Sequence, residues 1–469
     1  MLGRQLGELL DGEPTGVGQA LALVSGLDDA LVHGFARIGE EHAAALVGLA
    51  SALAATPIGD RVAEAVGKIN AGSVDGEHLL ALAGARTALL GAVHDAVLSR
   101  LDTLLGRDRS PWQQQPAPNP LPAESVGPLA GARPWLHELA ITGWRGVDHD
   151  LVAAASQPIE AALAQPSLRR LAVLLDGLAA ELHASCPVAT MPAVPVRRWA
   201  DLWARAVLLT ETGGGATDPA AGERVSGRLL ILGVDVHEHP TAVQVQVHGV
   251  LEPSHGLARL VRASVAAPKV DTIVGSALWR LLSDYPTLLG ALAQHRSLEV
   301  TDLPLYGGDL IWRDEQARTG EPADPFATAR VLLADAVAAE APPLDRHPVA
   351  IAEPVLLEGY AVRADEDAVS FDLDGQTIAV DFDRLPTCGP LTPKLVAAST
   401  ACLGLVRWDA GRWSLQPLAV QAKVKRAVVG VHNGDWAQGP TDPKVVKAEA
   451  RAGDAVAVLR ERAGRLLRR

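Results

Sequence analysis

Thr241-Ala-Val-Gln-Val-Gln-Val-His248 alternates apolar and polar residues without a break. On an extended backbone Val243, Val245 and Val247 face one way while Gln244, Gln246 and His248 face the other, the pattern of a half-buried β-strand. Upstream of residue 228 the pattern is different: apolar residues recur in steps of three and four in an Ala/Leu-rich background, as on amphipathic helices. A helical half joined to a sheet-containing half requires at least two cores. The expected fold class is therefore a multidomain α+β protein, with an N-terminal helical bundle, a helical middle region, and a C-terminal half of antiparallel β-hairpins and helices.

In the helical half, Leu27, Leu31, Phe35, Ile38, His42, Leu46, Leu49 and Leu53 form one stripe and predict a single helix of about seven turns. Thr56-Pro57 interrupts it, a shorter helix follows around Val62, Val66 and Ile69, and a third stripe runs from Leu79 through Arg86 to Leu104. His42 and Arg86 interrupt apolar seams, and the reading for both is an edge-of-core residue whose polar tip reaches water. These helices, residues 1–106, are expected to form an antiparallel bundle. Five prolines within 111–122 disfavour helix, so residues 107–133 read as a polyproline-rich linker between separately packed units. Residues 134–226 read as helical again, with a stripe Leu171, Leu174, Leu178, Leu182 and a face carrying Trp199 and Trp203.

Residues 227–439 read as a mixed region. A hairpin is expected from Arg228–Val236 and Ala242–Leu251, and a second around Asp374-Gly375, the dipeptide of a type I′ turn. Thr392-Pro393 supplies an N-cap and N1 proline for a short helix through Ala401, and a last hairpin turns over Asp409-Ala-Gly411. Residues 440–469 read as a basic C-terminal helix ending in Arg460, Arg462, Arg465, Arg468 and Arg469.

Hydrophobic residues make up 48% of the 469-residue chain, ample for globular packing. The net charge of −13 argues against a general nucleic-acid binder, whose footprint is a basic face. Acid concentrates in residues 1–105 (13 Asp/Glu against 6 Lys/Arg), whereas residues 441–469 carry 8 Lys/Arg against 4 Asp/Glu. The basic tail therefore suits docking on the acidic body or on a protein partner. No apolar run reaches the roughly 18 uncharged residues of a membrane span, and the first residues lack a signal-peptide layout. Cys186, Cys388 and Cys402 are expected as reduced thiols of a cytoplasmic protein.

Asp235-Val-His-Glu-His239 is the sharpest candidate for chemistry. Asp235, His237 and His239 share one strand face, and with His248 across the hairpin they could supply ligands to zinc or another divalent ion. Pro240 follows directly, however, so a polar hairpin loop explains the histidines without a metal. Asp148-His149-Asp150 could orient a general base, but a helix cap uses the same residues. Cys388 and Cys402 have no base marked near them. Nucleophile-elbow, paired-cysteine, metalloprotease and dinucleotide signatures are all lacking, and Gly213-Gly-Gly215 has no Lys-Ser/Thr to make a phosphate loop.

Leu82-Ala-Gly-Ala-Arg-Thr-Ala-Leu-Leu-Gly-Ala-Val-His94, Gly227-Arg-Leu-Leu-Ile-Leu-Gly-Val-Asp-Val-His-Glu-His239 and Arg407-Trp-Asp-Ala-Gly-Arg-Trp-Ser-Leu-Gln-Pro-Leu418 resemble an uncharacterised actinobacterial family. Its members are encoded near SWIM zinc-finger proteins, MoxR-type AAA+ ATPases and von Willebrand A proteins. The resemblance implies a non-catalytic companion in a multi-protein ATPase system and carries over no catalytic residue. The expected function is an adaptor or scaffold that needs no cofactor and holds protein partners, with no membrane. The alternative is a metal-dependent enzyme at hairpin 235–248.

Overall fold

The computed structural model describes residues 1, 3–112, 123–211, 222–364, 368–424, 427–452, 456–458 and 461. The helical half comprises α1 (Gly3–Leu10), α2 (Val17–His33), α3 (Glu40–Leu53), α4 (Gly59–Asn70) and α5 (Gly76–Leu105), then β1 (Arg109–Ser110), α6 (Ala123–Thr142), α7 (His149–Ala153), α8 (Ser156–Leu163), α9 (Arg169–Ser185) and α10 (Val196–Glu211). The stripe at 27–53 is not one helix. Gly34, with φ 80°, ends α2, and the chain passes through a short 3-10 turn at Phe35–Arg37 before α3 begins. The stripe survives the break because Phe35 is buried in the turn itself.

The linker expectation for 107–133 also needs correction. Arg109 and Ser110 form a strand, and α6 already begins at Ala123 with Pro128 and Pro134 inside it. Leu129, Ala132, Trp135, Leu136 and Leu139 are buried on this helix, and that apolar face offsets the roughly 3 kcal/mol a helix-interior proline costs. Residues 113–122, which hold four of the five linker prolines, lie outside the described residues. Packing does not divide at this segment: α2 through α5 and α6 through α10 contribute to one continuous apolar core.

Two four-helix stretches within that core follow the same path. α2 meets α3, α3 meets α4, α4 meets α5, and α5 returns to α2; α6, α8, α9 and α10 repeat these neighbour relations. After α2 comes Gly34 (φ 80°, ψ 161°), a 3-10 turn opening on buried Phe35, and extended Ile38. After α6 comes Gly143 (φ 72°, ψ 160°), a 3-10 turn opening on buried Trp144, and extended Val147. The two glycines touch. A Cβ on Gly34 would lie 2.4 Å from Ile141 O, and one on Gly143 would lie 2.3 Å from Gly34 N. Only glycine permits both the left-handed backbone and this approach.

The second half contains two sheets. The first takes β2 (Glu223–His239), β3 (Ala242–Pro253), β4 (Arg259–Pro268), β5 (Arg296–Tyr306), β6 (Asp309–Leu310) and β7 (Ala317–Pro322), with α11 (Leu278–Leu281) and α12 (Pro286–Gln294) inserted after β4. Its pairings run β2-β3-β4-β6-β5 and return to β2, closing a small barrel with β7 outside on β5. Val243, Val245 and Val247 line its core with α11 and α12, as the opening alternation predicts.

α13 (Pro325–Leu332) and β8 (Ala338–Ala339), which pairs with β1, lead to the second sheet. That sheet takes β9 (Ala352–Glu358), β10 (Ala361–Ala364), β11 (Val369–Leu373), β12 (Gln376–Val380), β13 (Ser399–Asp409), β14 (Arg412–Val424) and β15 (Ala427–His432), with α14 (Pro393–Ala397) before β13. Asp374-Gly375 and Ala410-Gly411 form two-residue turns with positive φ at both positions, as type I′ requires. Thr392 caps α14 through Leu395 N, but the helix ends at Ala397 and not at Ala401, because β13 starts at Ser399 and pairs with β14 and β9. One face of this sheet packs on α1 and on Val93, Val97, Leu98 and Leu101 of α5. The region 227–439 thus holds two sheets with separate cores, bridged by a small apolar cluster around Leu232, Phe326 and Leu403.

Of the expected C-terminal helix, α15 (Pro443–Ala452) is present, and Val456 beyond it is buried in the barrel core. Arg460, Arg462, Arg465, Arg468 and Arg469 lie outside the described residues. α5 is long and apolar enough to cross a bilayer by length and composition alone, but half of its apolar window is packed inside the protein.

Candidate functional site

The residues proposed as metal ligands lie where the hairpin pattern puts them. Asp235 faces Gln246, His237 faces Gln244, and His239 faces Ala242 across a Pro240-Thr241 turn, while His248 faces Gly233. Cross-strand partners share a face, so Asp235, His237 and His248 project on the same side of the barrel wall. That side is not open water. It abuts the second sheet so closely that a Cβ on Gly233 would lie 2.7 Å from Leu418 Cβ.

Asp235, 2% exposed, is held there from three directions. Arg407 Nη2 donates to it at 2.7 Å and Gln416 Nε2 at 2.7 Å, both from the second sheet, and His237 Nε2 lies 3.0 Å away. Burial opposes ionisation, yet His237, Arg407 and Gln416 together hold this carboxyl well below the usual carboxylate range. His239 is exposed and bonds Thr241 Oγ1 at the turn. His248 lies apart, about a cavity. Among the described residues no group of three or more His, Cys, Asp or Glu is placed to hold a metal ion. The polar face of this strand works as a joint between sheets.

A cavity of about 220 Å³ lies where the helical half, the barrel and the second sheet meet. His94 and Leu98 reach it from α5, Arg109 from β1, His248 and Arg262 from the barrel, and Glu353 from β9. Arg262 grips Asp309 through Nε (2.8 Å) and Nη2 (3.1 Å). Arg109 is occupied on all three nitrogens: Nε and Nη2 on Asp102 at 2.7 and 2.8 Å, Nη1 on Ala339 O, and Nη2 again on Glu353 at 3.3 Å. Arg107 Nη1 takes the other oxygen of Glu353 at 2.8 Å. Burial raises the Glu353 pKa, but Arg109, Arg107 and Arg262 outweigh it and bring the carboxyl down to about 2. His248 is 1% exposed, and its Nε2 has no hydrogen-bond partner among the described residues. Burial, aided by Arg262, brings its pKa down to about 3, so the ring is neutral near pH 7.

A second histidine cluster was not marked by the sequence. His295 Nε2 lies 2.7 Å from Asp435 Oδ1, and Asp435 Oδ2 accepts from His432 N at 3.0 Å. The two rings are 4.4 Å apart, and burial lowers the His432 pKa to about 4.

The remaining candidates are structural. Asp148 caps α7 through Leu151 N at 2.8 Å. Cys186, Cys388 and Cys402 are unpaired; burial pushes the Cys388 thiol up to about 12 and Cys402 higher still, which disfavours the thiolate. Arg86 does not reach water. It is 1% exposed and donates Nε and Nη2 to Asp28 at 2.7 and 3.0 Å, with Arg197 O as a further acceptor. The spacing that placed Arg86 on an apolar seam was correct; its acceptors are 58, 111 and 115 residues away and left no local sign.

No protein-family model matches the chain, and no curated protein matches it.

Proposed function

We propose that this chain is a non-catalytic adaptor that holds other proteins on a rigid frame. The observation that carries the reading is where the ionisable groups are engaged. Asp235 ties the barrel to the second sheet through Arg407, and Glu353 ties the second sheet to the helical half through Arg107. Groups locked this way at module boundaries resist the domain closure on which many multidomain active sites depend, and they keep the outer surfaces in fixed register.

A surface for a partner lies on the second sheet. β15 pairs with β14 on one side only among the described residues, and Val428 and Val429 are 64% and 41% exposed. A free strand edge presents a row of backbone donors and acceptors, and an extended segment of a partner protein satisfies them by adding a strand. The sequence resemblance makes a MoxR-type AAA+ ATPase or a von Willebrand A protein the first partner to test.

The test is capture of these two candidates from the encoding genome by the full chain, against the Val428→Lys/Val429→Lys variant, with circular dichroism to confirm folding. The expected result is capture by the native chain and loss of at least tenfold in affinity with two edge lysines. Failure of the native chain to bind either protein, or equal binding by the folded variant, overturns the reading.

A further inference from the structure

Arg109, Arg262, Asp309, Asp345 and Glu353 border the 220 Å³ cavity, and each already meets an opposite charge. Glu353 lies between Arg107 and Arg109, and Arg262 holds Asp309 through Nε at 2.8 Å and Nη2 at 3.1 Å. Asp345 Oδ1 takes Arg170 at 2.6 Å and Arg205 at 3.3 Å. An ion entering here would lose water and find no unmatched countercharge, so the wall favours neither an anion nor a cation. Hydrogen-bonding capacity is a different matter. A carboxylate offers about four lone-pair sites and a guanidinium five N–H groups, and the pairs use only part of both. The Asp309 and Asp345 side chains remain 41% and 39% exposed. Burial nonetheless raises the Asp309 pKa, which puts its open surface in a recess of the protein and not in bulk water. The amide of Gln246 adds a neutral group that both donates and accepts. Leu98, Leu260 and Ile351 supply apolar wall, and Gly307, Gly308 and Ala339 project too little side chain to fill the space.

We propose that this cavity binds a small neutral polyol, with adjacent hydroxyls bridging the Asp309–Arg262 pair. A hydroxyl both donates and accepts. One can therefore donate to Asp309 while its neighbour accepts from Arg262, and the ion pair stays intact. A further hydroxyl donates to Asp345, and the C–H faces of the skeleton rest on Leu98, Leu260 and Ile351. The ligand brings no charge, so the balance among the arginines and carboxylates is unchanged. Size sets the other limit: an engineered cavity of about 150 Å³ takes benzene, so this one suits a molecule of about nine heavy atoms. A four-carbon polyol or a pentose has that size. The site is built from all three modules, so it stands independently of whether β15 recruits a protein.

The test uses the full chain with erythritol, ribose and xylose as probes. Cyclopentanol serves as a ring with a single hydroxyl, and ribonate as the charged counterpart. Binding is followed by calorimetry and by hydrogen exchange of the native chain. At least one probe is expected to bind with a Kd of about 1 mM or tighter and to slow exchange at residues 307–309. Cyclopentanol and ribonate are expected to bind at least tenfold more weakly than the best probe. Asp309→Asn, which keeps the shape and loses the carboxylate, should weaken that probe at least tenfold. Ala339→Leu should do the same by filling the cavity, since it removes no charged group. All three probes binding more weakly than about 1 mM, or exchange at 307–309 unchanged by a saturating probe, would overturn the proposal. So would cyclopentanol or ribonate matching the best probe. These readings are made on the unaltered chain, so misfolding of a variant does not obscure the outcome.

Discussion

Replacing Asp235 by Ala tests whether the two sheets are joined by the buried ion pair. The substitution leaves the Arg407 guanidinium, whose side chain is 10% exposed, with Gln416 Oε1 at 2.6 Å as its remaining side-chain acceptor. Removing one partner of a buried pair costs about 3–5 kcal/mol, because the other charge stays buried and uncompensated. Arg407→Met in the same chain removes that charge and fills the space with a flexible apolar side chain, so the double variant should recover about 2–3 kcal/mol relative to additivity. Hydrogen exchange is the suitable assay, since a chain with several cores has no single unfolding free energy. A loss of 3 kcal/mol corresponds to about a hundredfold faster exchange, expected in β2 and β13 and not in α2 through α4. Protection in β2 and β13 within threefold of the native chain, or a double variant no better than the sum of its parts, would refute the reasoning.

Acid should destabilise the protein well before ordinary carboxylates titrate. Burial brings His248 and His432 down to about 3 and 4 in the fold against about 6.5 unfolded, so through these two groups the unfolded chain binds up to two more protons as pH falls from 6.5 to 4; His347, lowered by burial, adds to the effect, and His295, raised by Asp435, opposes it. The contribution of His248 and His432 is fully present above 6.5 and falls by up to about 2.7 kcal/mol per pH unit in that window; His432→Gln should remove about one proton from the slope in denaturant melts. A flat stability between pH 6.5 and 4.5 would contradict this. Gly143→Ala should disrupt the helical core, because its Cβ meets backbone at 2.3 Å and its φ is 72°, with an expected cost of at least about 3 kcal/mol read as lowered protection in α2 and α6.

What was legible in the sequence was local. Asp374-Gly375, Thr392-Pro393 and the valine alternation each hold their explanation within a few residues, and each forms the element expected. The proximity of Asp235 to His237 was legible for the same reason. Its role was not, because Arg407 lies 172 residues away. Glu353 is 246 residues from Arg107, and no periodicity signals a pairing of that kind. The break at Gly34 was hidden because the apolar stripe continues through the 3-10 turn. The helix at Ala123 was hidden because prolines argue locally against helix while a long-range core decides for it.

The contact between Gly34 and Gly143 is reciprocal: the turn after α2 packs on the turn after α6, and each helix touches the other's turn. Reciprocity of this sort is the mark of an isologous interface, the kind that ordinarily relates two copies across a twofold axis. Here both turns belong to one chain, so the reciprocal contact is made within the helical half. The two halves nonetheless differ. α5 has 30 residues where its counterpart α10 has 16 among the described residues, a difference of about 21 Å. That extension carries Val93, Val97, Leu98 and Leu101 beyond the symmetric core and onto the second sheet. One broken symmetry thus gives the chain both a self-contained helical body and the arm that fastens it to the rest.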